Sequence, residues 1–323
     1  MRVGQNPAKY VKTVVRPERI TVAVLNFIPF QSGFYAEALD VLKVCLDSAR
    51  REPGLQFDLL VFDNGSCEEV KNYLVNEQYE SRIQYLILSE SNLGKGGAWN
   101  IMLSGAPGEI IAYADSDCLF YPGWLAESVK LLETFPKVGM VTARPFRTNP
   151  DLYTSTATWG TGETDVSVER GQFIPWETFL EFDRSIGQTD DEIRKHYDSS
   201  DDVLLTYQGK QAMAGASHWQ FTARKDVLAQ FLPFEMDRPM GQVKQLDQRV
   251  NEAGYLRLMP VKPFVMNMSN TLRNVPGIDP QGNAARVEPA TNRRMRDLPP
   301  VRKILLSIYD AIFRWYYDRP VSK

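Results

Sequence analysis

Two aspartates, Asp115 and Asp117, end an apolar run in the first half of the chain. The run, residues 110–114, carries the β-branched and aromatic side chains that are typical of a buried strand. Because side chains alternate along a strand, both carboxylates would leave its carboxyl end on the same side. Two buried carboxylates are costly without a partner, whereas a divalent cation carrying phosphate oxygens would neutralise them. The spacing therefore predicts a metal and diphosphate site at a strand end, where open α/β sheets bind their ligands.

Three more polar segments come directly after predicted strands earlier in the chain. They are residues 26–29, the turn Asp63-Asn64-Gly65-Ser66, and the glycine-rich segment 92–100. Right-handed crossovers between parallel strands would bring these segments to the edge that carries Asp115. Each segment alone is typical of an ordinary turn or helix start, but their order and spacing together are much more specific.

The elements that must position these segments alternate over the first 115 residues. Strands are expected at 20–25, 57–62, 83–88 and 109–114, and helices at 34–50, 68–76 and 97–103. This alternation predicts an α/β fold with a mostly parallel sheet flanked by helices. A helix at 122–134 and a short strand at 138–142 are expected to follow.

The second half of the chain has weaker patterns. Residues 147–211 are polar and weakly periodic, so we expect an insertion with mobile parts whose acidic residues form a solvated face. The α/β character returns at 213–268, and residues 276–300 have the composition of a linker. Residues 301–317 repeat apolar side chains at helical spacing, which predicts an amphipathic C-terminal helix. That helix is expected to pack on the body of the protein, with a homodimer interface or a peripheral membrane contact as alternatives.

Composition excludes several classes of protein. The 323-residue chain has a formal net charge of -3, which argues against a nucleic acid as partner. Its three cysteines are far apart, which argues against a disulfide framework or a zinc knuckle. The N-terminus lacks the apolar core of a signal peptide, and no apolar run reaches the roughly 18 residues that a spanning helix needs. We therefore expect a cytoplasmic protein, with peripheral contact to the inner face of the membrane as an alternative.

The motifs at Asp63, at Asn92 and at Asp115 resemble those of the family 2 glycosyltransferases, which have the Rossmann-like GT-A fold. The resemblance covers residues 19–145 well and residues 213–268 in part. It implies a GT-A domain over residues 1–270, with a nucleotide-sugar half at 19–145 and an acceptor half at 146–270, followed by a linker and helix at 271–323.

The resemblance also implies transfer of a sugar from a nucleotide-diphosphate donor, a UDP-sugar first, with Mn²⁺ or Mg²⁺ as the metal. Asp63 would hold the base or the ribose, Asp115 would face the ribose, and Asp117 would bind the metal. The metal would stabilise the charge that builds on the departing diphosphate. The further donor-binding positions implied are Asn26, Asn92, Gly94 and Lys95, although Lys95 also fits a plain surface lysine.

The general base is missing at the place where the family has it. In inverting members an aspartate lies six residues before the arginine that matches Arg249, and this chain has Val243 there. Asp247 lies one helical turn further on and is our first candidate for the base, followed by Asp237 and Glu235. We expect inversion at the anomeric carbon, and a surface ion pair is the alternative role for Asp247.

His218 is a candidate for three roles. It would complete the metal shell with Asp115 and Asp117, contact the acceptor as a catalytic group, or form a buried hydrogen bond without a chemical role. The acceptor class stays open among a glycan, a lipid-linked glycan, a protein and a small molecule.

Two other functions compete with a sugar transferase. A nucleotidyltransferase would need a basic, glycine-rich loop after the first strand, but residues 25–30 are mostly apolar. A non-catalytic nucleotide-sugar binder with a decayed base remains an alternative because of Val243.

Overall fold

Buried apolar strands alternate with helices through the first half of the chain, as expected, in a computed structural model of the protein. The elements are β1 (Ile20–Asn26), α1 (Ala38–Arg50), β2 (Asp58–Asp63), α2 (Glu68–Tyr79), β3 (Tyr85–Leu88), α3 (Gly94–Gly105) and β4 (Ile110–Asp115). Strand β1 pairs in parallel with both β2 and β4, and β3 pairs in parallel with β2. The register aligns Asn26 with Asp63 and Leu25 with Asp115, so the predicted site residues meet at one edge.

The structure describes residues 4–236, 243–273 and 275. These residues belong to one compact unit that runs to Pro276. The base candidate Asp237, the linker at 276–300 and the helix at 301–317 lie outside the described residues.

The second half of the chain extends the sheet beyond β4. Its elements are β5 (Cys118–Phe120), α4 (Trp124–Thr134), β6 (Val138–Val141), β10 (Gln220–Arg224), α8 (Lys225–Ala229), α9 (Lys244–Glu252), β11 (Leu256–Met259) and β12 (Val265–Asn267). Strand β10 runs antiparallel between β4 and β6, and β6 pairs in parallel with β11. A separate two-stranded ribbon joins β5 to β12.

Residues 147–211 form helices and strands, and the strands belong to the large sheet, whereas the weak periodicity of the segment predicted an insertion with mobile parts. They contain α5 (Thr154–Gly162), β7 (Val166–Gly171), α6 (Trp176–Ser185), α7 (Asp190–Ser199), β8 (Asp202–Tyr207) and β9 (Lys210–Ala214). The three strands pair antiparallel and complete a ten-stranded sheet in the order β3-β2-β1-β4-β10-β6-β11-β9-β8-β7. The sequence of this segment is polar because β7 is a half-exposed edge strand and α7 exposes most of its residues.

One of the acidic residues expected on a solvated face is buried. Asp202 is paired with Arg147, whose Nε lies 2.7 Å from its Oδ1. Its Oδ2 accepts the backbone N–H groups of Phe173 and Ile174 at 2.8 and 2.9 Å. Asp202 therefore anchors the segment before α6 to the sheet rather than facing water.

An aromatic cluster joins helix α3 to the strands that carry the site. Trp99 packs edge-to-face on Tyr113 and Phe221, with ring centroids 4.8 and 5.6 Å apart, and on Phe234. Tyr113 and Phe221 stack on neighbouring strands β4 and β10. This packing holds the start of α3 against the carboxyl end of β4. Among the helices within residues 4–236 and 243–273, none combines the length and the hydropathy required to cross a membrane.

Candidate active site

Asp115 ends β4 in contact with a lysine from the next helix. Helix α3 begins at Gly94, one turn earlier than expected, so Lys95 lies in its first turn. The Lys95 ammonium lies 2.7 Å from the Asp115 carboxylate and 5.6 Å from the centre of the Tyr113 ring. The Tyr113 hydroxyl donates to the same carboxylate. Lys95 is therefore not a plain surface lysine, since it neutralises one of the two predicted metal-site carboxylates.

Asp117 is held differently from Asp115. Its Oδ1 is buried and accepts no hydrogen bond from any residue that the structure describes. Burial and the nearby charge of Asp115 raise the pKa of Asp117 from 3.8 to about 7, although Lys95 opposes the shift. A buried carboxylate oxygen without a partner is costly, so this atom is suited to bind a cation.

The Asp63-Asn64-Gly65-Ser66 turn forms a closed hydrogen-bond network at the end of β2. Asp63 is fully buried, and it accepts from the Asn26 amide at 2.8 Å and from the Ser66 N–H at 3.0 Å. Gly65 has a φ of +87°, and a Cβ there would lie 2.8 Å from the backbone of Ser91. The turn therefore requires glycine, and both oxygens of Asp63 already have partners inside the protein.

Two asparagines link this turn to the start of α3. The Asn64 amide donates to Asn92 Oδ1 at 2.9 Å, and Asn64 Oδ1 accepts the Leu93 N–H at 2.9 Å. Asn92 Oδ1 also accepts the Gly94 N–H at 2.8 Å. Gly94 has a left-handed φ of +68°, which a glycine adopts at no steric cost. The two motifs thus form one structural unit that leads into Lys95.

The predicted donor residues therefore lie along one edge, at the carboxyl ends of β1, β2 and β4 and at the start of α3. Asp117 is the carboxylate that could bind a hard divalent cation whose other ligands are phosphate and water oxygens, since Asp115 beside it is paired with Lys95. No cluster of three or more His, Cys, Asp or Glu side chains suitable for a metal occurs in the described part of the chain. The expectation that His218 completes a metal shell with the two aspartates is thus not met.

His218 instead contacts Asp247. Its Nδ1 lies 2.5 Å from Asp247 Oδ2, and Arg257 Nη2 lies 2.5 Å from the other carboxylate oxygen. Asp247 is 5% exposed and the Arg257 side chain is fully buried. The first candidate for the base is therefore enclosed between two partners, and the alternative of a surface ion pair is wrong because the carboxylate is buried. Glu235 is exposed.

A cavity of about 500 Å³ opens beside this triad of His218, Asp247 and Arg257. His218 and Asp247 line one side of the cavity. Phe182 of α6, Ile186 directly after that helix and His196 of α7 line another side. The segment 147–211 thus supplies part of the cavity wall, while α9 supplies Asp247, β11 supplies Arg257 and the connection before β10 supplies His218.

The triad and the two aspartates lie on adjoining chain segments. His218 directly precedes Trp219, whose carbonyl accepts the Asp115 N–H at 2.9 Å. Because β10 pairs with β4, the position of His218 relative to the end of β4 is set by hydrogen bonds of the sheet.

Arg257 was not identified from the sequence. It lies between two leucines in the strand segment Leu256-Arg257-Leu258-Met259, all of whose residues are buried. Its guanidinium also donates to the carbonyls of Leu152 and Ala216. Burial lowers the pKa of Arg257, while Asp247 opposes the change. A charged residue in an otherwise apolar strand was the available signal, since a buried arginine needs an anionic partner.

Comparison with known proteins gives short sequence matches and broad structural ones. An uncharacterized glycosyltransferase of Nostoc sp. strain PCC 7120 is 24% identical over 100 residues, which is 31% of this chain and 31% of that protein. An uncharacterized glycosyltransferase of Rickettsia conorii is 31% identical over 77 residues, which is 24% of this chain and 12% of that protein. The match therefore spans about a third or less of these curated relatives.

Among solved structures, the mannosyltransferase PcManGT of Pyrobaculum calidifontis, in complex with GDP-Man and Mn2+, is 17% identical with a TM-score of 0.44. That alignment covers 76% of this chain and 55% of the other. S. aureus TarS 1-349 in complex with UDP-GlcNAc is 12% identical with a TM-score of 0.46, and the alignment covers 78% and 61%. The sequence model described as Glycosyl transferase family 2 matches residues 33–204, more than half of the chain. The chain belongs to glycosyltransferase family 2.

Proposed function

We propose that this protein transfers a sugar from a nucleotide-diphosphate donor, first of all a UDP-sugar, in a reaction that depends on Mn²⁺ or Mg²⁺. The donor would lie along the edge formed by the ends of β1, β2 and β4 and the start of α3. Its acceptor, whether a glycan, a lipid-linked glycan, a protein or a small molecule, would enter from the side of the 500 Å³ cavity.

This proposal depends on the buried Oδ1 of Asp117, which has no hydrogen-bond partner among the residues that the structure describes. It lies two residues after β4, at the edge where parallel sheets bind their ligands. Asp115 is nearby but is already paired with Lys95. The available ligand atom is thus on Asp117, whereas Asp115 and Lys95 together are suited to contact the polar groups of a nucleotide.

The chain's own groups divide the work at this edge. Asp117 would hold the metal, which when bound would stabilise the charge on the leaving diphosphate. Lys95, at the start of α3, places a positive charge beside the same region, and the helix N-terminus adds its dipole. Asp63 and Asn26 are hydrogen-bonded to each other. They would position the turn after β2, which would contact the base or the ribose of the donor.

Calorimetric titration of UDP and of GDP tests the proposal. In the wild-type protein we expect one of the nucleotides to bind with Mn²⁺ and to lose its binding in EDTA. Asp117→Asn is expected to abolish this metal-dependent binding. Asp198→Asn removes an exposed carboxylate that pairs with Arg194 on α7, and it serves as the matched control. Undiminished metal-dependent binding in Asp117→Asn would refute the metal assignment.

A non-catalytic nucleotide-sugar binder is the second candidate, and one observation favours it. Val243, at the position where inverting members of the family have their base, is 3% exposed and packs in the main hydrophobic core. A carboxylate is therefore absent from that position. Metal-dependent nucleotide binding, with no donor hydrolysis and no transfer to any acceptor, would favour this candidate.

A further inference from the structure

We infer that His218 is the general base of this transferase and that Asp247 is its positioning residue, so that an imidazole replaces the carboxylate missing at Val243. This inference rests on the proposed function, because it names the group that removes the acceptor proton. It also reassigns Asp247, since a carboxylate enclosed by two partners is poorly placed to receive a proton from an acceptor.

The hydrogen bonds around Asp247 define which nitrogen of the His218 imidazole carries the proton. The fully buried guanidinium of Arg257 donates a hydrogen bond to Oδ1 of Asp247 at 2.5 Å and fixes the orientation of that carboxylate. The other oxygen, Oδ2, lies 2.5 Å from Nδ1 of His218 and accepts a hydrogen bond from an N–H at that nitrogen, which keeps the proton on Nδ1. The other nitrogen, Nε2, then has a free lone pair, which is what a base requires.

Exposure separates the two members of the pair. The His218 side chain is 20% exposed, whereas Asp247 is 5% exposed, and both line the cavity of about 500 Å³. An acceptor in that cavity would therefore reach the imidazole before the carboxylate. The cavity also carries Thr148, whose buried Oγ1 has no hydrogen-bond partner in the described ranges and is available to an acceptor hydroxyl.

The proposed step balances as a direct displacement. The acceptor hydroxyl gives its proton to Nε2 of His218, and its oxygen forms a bond to the anomeric carbon of the donor. The bond between that carbon and the diphosphate oxygen breaks, and its electron pair leaves with the diphosphate. The resulting imidazolium is stabilised by Asp247. Attack from the face opposite the leaving group inverts the anomeric centre.

The charged groups around His218 come from several elements. Asp247 and Lys244 lie on α9, and Arg257 on β11 faces the far side of Asp247. Other charged or titratable groups of the cavity are Arg147, Asp183 and His196. His196 Nδ1 lies 3.4 Å from Asp183 Oδ2, a longer contact than the one between His218 and Asp247.

The first test needs no substrate, because the chain contains only two histidines. In a His196→Gln background with ¹⁵N-labelled histidine, His218 gives a single imidazole signal set. At pH 8 we expect a proton on Nδ1 and a free Nε2, and we expect Asp247→Asn to lose this preference. A proton on Nε2 at pH 8 in the background protein would overturn the inference.

The second test measures turnover as release of nucleoside diphosphate from UDP-glucose, UDP-GlcNAc and GDP-mannose. His218→Gly is expected to lower the rate by about 100-fold or more and to leave the donor Kd unchanged. Added imidazole is expected to restore part of the rate, because the cavity has room for the ring. The control is Glu252→Gln, which removes an exposed carboxylate from α9, the helix that carries Asp247. This variant is expected to keep the wild-type rate.

The two proposals fail in different ways. A His218→Gly variant that keeps the wild-type rate would overturn the role of His218 and leave donor binding intact. A wild-type protein that binds neither UDP nor GDP with metal would overturn the donor site. The tautomer of His218 is decided in both cases, since that measurement uses neither donor nor metal.

Discussion

At the residue scale, the protonation of Asp117 controls the proposed metal site. Burial and Asp115 raise its pKa to about 7, so a metal must displace a proton below that pH. We expect Mn²⁺ affinity to fall about tenfold per pH unit below 7 and to level off above it. Proton relaxation enhancement by Mn²⁺ measures this affinity without a nucleotide, so that the titration of phosphate groups does not affect the result. Equal affinity at pH 5.5 and pH 8 would contradict the prediction.

Lys95 and Asp115 have opposite effects on the pKa of Asp117. The positive charge of Lys95 lowers the pKa of Asp117, so its removal leaves two neighbouring carboxylates without a cation. We expect Lys95→Gln to move the midpoint of Mn²⁺ binding to higher pH. Lys43→Gln removes an exposed lysine from the ion pair with Asp40 on α1 and is expected to leave the midpoint unchanged. An unchanged midpoint in Lys95→Gln would count against the coupling.

At the element scale, the turn after β2 depends on one glycine. Gly65 combines a φ of +87° with a Cβ position only 2.8 Å from backbone. Gly209, in the turn between β8 and β9, has a φ of +73° with nothing within 4 Å. We expect Gly65→Ala to lower the free energy of unfolding by about 2–4 kcal/mol and Gly209→Ala by about 1 kcal/mol. Urea unfolding measures both, and equal losses would mean that the close approach to Ser91 is easily relieved.

The sheet carries the groups of the candidate site at fixed spacings. Strands β1, β2 and β4 carry the residues proposed to bind the donor, and β10 follows His218 on the other side of β4. Helix α9 and strand β11 then supply Asp247 and Arg257. Asp115 and Arg257 lie in strands, Asp247 lies in a helix packed on the sheet, and His218 lies two residues before β10, so the sheet is a rigid support for these residues.

At the scale of the whole molecule, local periodicity predicted the first half well. The strand ending at Asp115 and the helices between strands are where apolar spacing indicates them, because each element has one buried face. The start of α3 lies one turn earlier than expected, since Gly94 and Lys95 do not look helical. The α/β fold predicted from this pattern is confirmed.

The remaining features depend on contacts that sequence spacing does not reveal. Residues 147–211 looked like an insertion because edge strands and outer helices are half polar, yet they extend the sheet. His218 and Asp247 were each candidates, but their contact spans 29 positions and joins two elements. The ion pair of Arg257 with Asp247 could not be predicted, because it depends on the packing of β11 beside α9.

The cavity is lined by elements from two different parts of the chain. One wall includes residues of helices α6 and α7, which follow the edge strand β7, while the imidazole comes from the connection before β10 and its carboxylate from α9. Sequence changes in the wall that includes α6 and α7 reshape the entrance without moving the chemical groups. We therefore expect substitutions in α6 and α7 to change which molecules the cavity admits while the contact between His218 and Asp247 stays in place.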